Sequence, residues 1–191
     1  MATLEQEHKR LLHMRYHLSI VVMRTVGCAG AFAVTFALAP PPCAAETVAS
    51  HCSPHEQTLF NCSTKQKAVS VCATQDLSAV AGSIQYRYGR LGAPELVYPT
   101  PATGWRQLVY GGALTLAGGG GAYIAFVNGS YRYVVYTAIG RGWGEKAGVV
   151  VEKSSKRVVS LPCKSKEESE LGPDLFTKAG LSEDTAGFDL P

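Results

Sequence analysis

Between Ala122 and Cys163, β-rich runs alternate with turn chemistry so regularly that few architectures fit. The runs read A-Y-I-A-F-V, S-Y-R-Y-V-V-Y-T-A-I, V-V-V-E-K and R-V-V-S-L-P-C. Aromatic and β-branched side chains favour a pleated, half-buried surface. Asn128-Gly129 between the first two runs predicts a two-residue type I′ hairpin, in which both central residues take positive φ. Gly140, Gly142, Gly144 and Gly148 bracket the next reversal, and Ser154-Ser155-Lys156 makes the third. The stretch therefore reads as an antiparallel meander that ends on a cysteine.

The residues before it extend the same pattern. Runs at 58–62 and 68–72 form a first hairpin through Ser63-Thr64-Lys65-Gln66. A strand at 83–88 alternates as S-I-Q-Y-R-Y, and a short one at 95–98 is stopped by Pro99 and Pro101. Runs at 105–110 and 113–116 are read as two strands joined by a Gly111-Gly112 turn, and the glycine run 118–121 as a flexible hairpin loop. Nothing before Cys163 keeps a helical period. About ten short strands predict an all-β fold, a small barrel or sandwich. Beyond it, Pro173–Ala179 has Pro at a first helical position and Gly180 as a stop, which predicts one short helix. Residues 181–191 read as a loose acidic end.

Residues 1–45 read as a secretory signal. An uncharged segment, T-V-G-C-A-G-A-F-A-V-T-F-A-L-A, follows Arg15 and Arg24, and it is shorter than the roughly 20 apolar residues that a spanning helix needs. Cys43-Ala44-Ala45 places cleavage after Ala45, and Met14 is an alternative translation start. The organisation expected is a signal at 1–45, a disulfide-linked β domain at 46–163 and an acidic tail at 164–191, with no transmembrane segment once the signal is removed. A periplasmic or secreted location follows.

Export implies disulfides among Cys52, Cys62, Cys72 and Cys163. Phe60 and Cys62 share one strand face, whereas Cys72 lies on the face opposite Val69 and Val71. If Phe60 and the valines point inward, Cys62 and Cys72 are on opposite sides and too far apart to bond. The pairing preferred is Cys62–Cys163 with Cys52–Cys72. The first closes a loop of about a hundred residues, worth roughly 4–5 kcal/mol in the chain-entropy model.

Charge is uneven. Residues 50–163 hold eleven Lys/Arg against five Asp/Glu, and residues 164–191 hold three Lys against seven Asp/Glu. This fits either ordinary solvated surface, an anionic partner for the body, or a tail that folds back over it. No catalytic set assembles from the sequence. The histidines of the β domain, His51 and His55, stand in its polar lead-in, no C-x-x-C occurs, and no metal or cofactor is expected. Tyrosines interleaved with Arg87 and Arg132 have the composition of a base-stacking surface, but export argues against nucleic acid. The acids Glu56, Asp76, Glu95, Glu145 and Glu152 leave a hydrolase with an unrecognised site as an alternative. The loop holding Arg141, Trp143 and Lys146 combines a large aromatic with charge, a good contact set for a protein or a glycan.

The segments S-V-C-A, I-Q-Y-R-Y-G, P-E-L-V-Y-P, G-G-G-G-A-Y, Y-V-V-Y-T-A-I-G and E-K-A-G-V-V-V-E-K together resemble a family of uncharacterised secreted all-β proteins of Gram-negative bacteria. That resemblance brings no activity. A second one is more distant. F-N-C, V-S-V, W-G-E-K-A-G-V-V-V and R-V-V-S-L-P-C are similar in order to bacterial inhibitors of c-type lysozyme, small antiparallel barrels whose first-strand cysteine bonds a C-terminal one. Their two inhibitory motifs correspond here to Gly129-Ser130-Tyr131, with Ser and Gly reversed, and to Trp143 with Lys146. The resemblance implies Ser130, Tyr131, Trp143 and Lys146 as contacts to a lysozyme. The function expected is an exported non-enzymatic binding protein, possible partners being a lysozyme, another protein or cell-wall glycan. An envelope-associated structural or glycan-binding module is the alternative.

Overall fold

The computed structural model describes residues 49–191, so the signal expected at 1–45 lies outside the described residues. Eleven strands and one helix follow in order: β1 (Glu56–Ser63), β2 (Ala68–Thr74), β3 (Ile84–Arg90), β4 (Ala93–Tyr98), β5 (Val109–Leu116), β6 (Gly119–Asn128), β7 (Tyr131–Gly140), β8 (Gly144–Lys153), β9 (Lys156–Pro162), β10 (Glu168–Ser169), α1 (Pro173–Ala179) and β11 (Ser182–Glu183). Two sheets result: sheet A in the order β10-β1-β2-β3-β4 and sheet B in the order β11-β5-β6-β7-β8-β9. Every pairing is antiparallel except the short parallel β11–β5 contact. The all-β class holds, as two open sheets, not a closed barrel.

One core lies between the sheets. Phe60, Val69, Val71 and Tyr86 of sheet A meet Ile124, Phe126, Val135 and Val149 of sheet B, with Leu175 and Ala179 of α1 filling in beside them. A second apolar cluster, Tyr123, Ala125, Val134, Tyr136 and Val150, covers the opposite face of sheet B. Strand β6 is thus buried on both sides, which is why A-Y-I-A-F-V is apolar throughout instead of alternating with polar residues.

Both expected disulfides are formed. Cys62–Cys163 ties β1 to the end of β9 and so joins the sheets, and Cys52–Cys72 pins the lead-in to β2. Cys62 lies on the core side, where it pairs with Val69 as Phe60 pairs with Val71, and it bonds Cys163 and not Cys72.

Four local expectations are corrected. Gly111 and Gly112 do not turn; they sit in the middle of β5, opposite Ile124 and Tyr123. A Cβ at Gly111 would lie 2.8 Å from the Phe176 ring, and one at Gly112 would lie 2.3 Å from the Tyr123 ring. The pair is therefore flat on both faces to admit two aromatics, a packing reason invisible to turn statistics. Residues 105–107 form a 3-10 turn, not a strand. Gly119, Gly120 and Gly121 are paired in β6 with both β5 and β7, so only Ala117-Gly118 turns. The loose end expected at 181–191 is instead laid against sheet B through β11, Phe188 and Leu190.

Turn types also differ. Asn128 pairs with Tyr131, so the hairpin loop is Gly129-Ser130, with positive φ (58°) at Gly129 alone. That sign pattern belongs to a type II′ turn. The double positive φ falls on Ser154 (48°) and Ser155 (63°), between the paired Lys153 and Lys156. The I′ pattern is thus carried by two serines, residues that adopt it at some cost.

Candidate functional site

Strand β7 sets the geometry of the candidate contacts. Ser130 and Tyr131 stand at its start, and Arg141 and Trp143 just past its end. Ten residues at about 3.4 Å each separate the two groups by roughly 30 Å. The candidates therefore form two places, not one.

At the far end, β7 and β8 are joined by the three-residue turn Arg141-Gly142-Trp143, closed by the Gly140–Gly144 pair. The reversal is tighter than the glycine spacing suggested, and Glu145 and Lys146 belong to β8. Trp143 is neither a core plug nor a free side chain. Its indole lies across Gly140, where a Cβ would stand 2.2 Å from the ring, and it remains 38% exposed. The Lys146 ammonium sits 5.2 Å from the ring centroid, a cation–π contact. Arg141 donates its N–H to the Gly118 carbonyl (3.1 Å), which fastens this turn to the β5–β6 turn. The result is a half-exposed aromatic, backed by main chain, with the Lys146 cation at its face, while the Arg141 side chain lies over Gly118.

At the near end, the Ser130 carbonyl accepts the Ser154 N–H (2.8 Å), locking the β6–β7 and β8–β9 turns together. Tyr131 is also 38% exposed; it stacks on Tyr133 and lies under the Lys153 ammonium at 5.1 Å.

Between these ends, residues 182–191 run along the outer face of sheet B. Arg132 is their main anchor. Its guanidinium donates to Glu152 Oε2 (2.6 Å), to the Asp184 carboxylate and to the Gly187 carbonyl (2.8 Å). The Phe188 ring packs against Tyr123 at 5.2 Å and Tyr136 at 5.4 Å between centroids. Arg157 donates to the Asp189 carbonyl (2.6 Å) and Lys146 to the main-chain oxygen of Pro191 (3.0 Å). Burial, with the Asp184 carboxylate beside the hydroxyl, pushes Tyr123 up to about 12. Burial likewise raises Tyr136.

The acids weighed for hydrolysis are dispersed. Glu56 is held by Arg87 (2.6 Å), Glu95 by Lys67 (2.6 Å) and Glu152 by Arg132. Although burial opposes it, the Arg87 pairing leaves Glu56 below its ordinary value. The His51 ring contacts the Gly89 carbonyl (3.2 Å), and its own carbonyl accepts from Arg87 (2.8 Å). Among the described residues, no group of three or more His, Cys, Asp or Glu is placed to hold a metal ion, and no helix is long and apolar enough to cross a membrane.

Compared with known proteins, the chain matches no family model, no curated sequence and no solved structure. The resemblances in its sequence rest on the residues that carry them.

Sequence reasoning weighed Arg132 only beside the tyrosines and passed over Arg157 and Phe188. Beyond the uneven charge, a signal for the tail was Phe188-Asp189-Leu190, two apolar residues at period two after Glu183-Asp184. That spacing suits a segment lying extended on a sheet.

Proposed function

We propose that this chain is an exported, non-enzymatic recognition protein whose contact surface is the Trp143 turn. The observation that carries this reading is the seating of Trp143: a large aromatic, 38% exposed, held over Gly140 with Lys146 at its face. Rigid display of an aromatic is how recognition surfaces obtain contact area without an entropic cost on binding. Two formed disulfides fit a chain that matures outside a reducing compartment. The partner class we favour is a cell-wall glycan or an envelope protein, since an indole face with a cation beside it suits both sugar rings and acidic groups. The more specific lysozyme reading asks Ser130-Tyr131 and Trp143-Lys146 to reach one cleft. Their separation of roughly 30 Å along β7 makes that a two-surface contact instead, so lysozyme ranks second.

The test is equilibrium binding of the exported chain to insoluble peptidoglycan and to a c-type lysozyme, each with the native chain and with Trp143→Ala. Retention on one of them that falls by tenfold or more in the variant supports the reading. Retention unchanged by the substitution removes the Trp143 turn as the contact surface.

A further inference from the structure

The outer face of sheet B is apolar enough to be a second core, yet no second layer covers it. Tyr123, Val134, Tyr136 and Val150 are at most 3% exposed. What shields them, beside Leu114, is a single segment that turns at Asp184–Gly187 and whose Phe188 and Leu190 are themselves only half-buried. Its main-chain bonds to the sheet are confined to its start, at β11 and at Asp184, whose N–H donates to the Gly111 carbonyl (2.9 Å). Its remaining fastenings are side-chain ones: Arg132 to Asp184 and Gly187, Arg157 to Asp189, and Lys146 to Pro191. Three cations of the sheet thus face a segment carrying Glu183, Asp184 and Asp189. Beside it, next to Ser130 and Tyr131, an open cleft of about 740 Å3 is walled by Arg132, Arg157 and Phe188.

We propose that this face, from Arg132 to Lys146, is a docking surface for an acidic peptide bearing an aromatic residue, occupied in cis by the chain's own residues 182–191. The segment shows on the page what the surface accepts: a carboxylate on Arg132, a ring between Tyr123 and Tyr136, an aliphatic side chain two residues further, and main-chain oxygens on Arg157 and Lys146. From Phe188 to Leu190, beyond the turn at Asp184–Gly187, alternate side chains meet the sheet, as in the recognition of extended ligands. Arg132 and Ala138, the residue opposite Lys146, lie six residues apart on β7, about 20 Å. A partner segment in place of the strap would therefore run from the cleft beside Tyr131 to the Trp143 turn, linking the two groups of exposed residues. A tethered ligand is present at an effective concentration in the millimolar range, so an outside peptide must compete with it.

The test uses the full chain and a fluorescein-labelled synthetic peptide of residues 181–191. In the double variant Phe188→Ala/Leu190→Ala, hydrogen exchange of residues 182–191 is expected to accelerate while β6–β8 stay protected. The same variant is expected to bind the peptide at least about tenfold more tightly than the native chain does. Raising salt should weaken that binding, because the anchors are cations. Excess unlabelled peptide added to the native chain should speed exchange of its own 182–191 segment, a readout that needs no variant. Trp143→Ala should leave peptide binding intact, which separates this surface from the Trp143 contact proposed above. A segment that is released in the double variant while the peptide binds no better would overturn the proposal. So would exchange in the native chain that excess peptide leaves unchanged, or dimers formed by exchange of tails with no binding of the free peptide.

Discussion

The molecule places its two tryptophans at opposite extremes. Trp105 opens the 3-10 turn between the sheets and is 2% exposed. Its indole N–H donates to the Gly82 carbonyl (2.9 Å), and the Arg106 guanidinium lies 4.5 Å from its ring centroid. Trp143 also lies near a cation and rests on main chain, but it is 38% exposed. Contact with a cation therefore says nothing about role. What distinguishes the two is enclosure on all sides for Trp105 and support on one side for Trp143.

Substituting the enclosed ring should have the largest effect. Trp105→Ala empties a core site and leaves the Gly82 carbonyl without its donor. We expect a loss of about 3–5 kcal/mol in denaturant unfolding, and a loss below about 1 kcal/mol would show that the bend is not part of the core.

The glycines that seat aromatics extend the comparison. At Gly111 an added methyl meets Phe176, which is wedged between β5 and the core. Gly111→Ala should cost about 1–3 kcal/mol through overpacking, measured by the same titration.

Tyr123 is intermediate, enclosed by the sheet on one side and by the 182–191 strap on the other. An ordinary tyrosine titrates near 10, and Tyr123 is pushed up to about 12 by burial and by the nearby Asp184 carboxylate. Its neutral form is therefore favoured by folding. Its contribution is fully present below pH 10 and is lost as pH rises from about 10 through about 12. The unfolding midpoint of the native chain should fall between pH 9 and pH 12, and Tyr123→Phe should fall less steeply. Equal slopes would mean that other tyrosines, such as Tyr86 and Tyr136, dominate.

Gly140→Ala tests the displayed side directly. The added methyl would stand 2.2 Å from the Trp143 ring, closer than at Gly111, yet that ring is supported on one side only. We expect the indole to swing into solvent, with a cost below about 1 kcal/mol and a red-shifted tryptophan emission. A cost equal to that of Gly111→Ala would show that the ring is clamped.

The class of fold was legible because the meander's alternation and its turns are local signals, and the disulfide pairing because strand period two fixes which face a cysteine takes. Turn placement was less legible. Gly111-Gly112 reads as a reversal unless one knows that Phe176, sixty-odd residues later, returns to lie on it. Likewise, the alternative of a folded-back tail could be weighed from charge, but not its path, which depends on Arg132, Lys146 and Arg157 coming onto one face. The Trp143 turn was found from its composition. Its distance from Ser130 and Tyr131 was implicit in the single run 130–139, which the structure shows as the unbroken strand Tyr131–Gly140.

The most direct test of display against packing is a thermal melt of Trp143→Ala beside Trp105→Ala. For a body of this size about 1 kcal/mol corresponds to roughly 3–5 °C in Tm. Trp143→Ala should shift Tm by no more than a few degrees, while Trp105→Ala should lower it by about 10 °C or more. Matching large drops in both variants would contradict the reading of Trp143 as a displayed contact and return it to the structural framework.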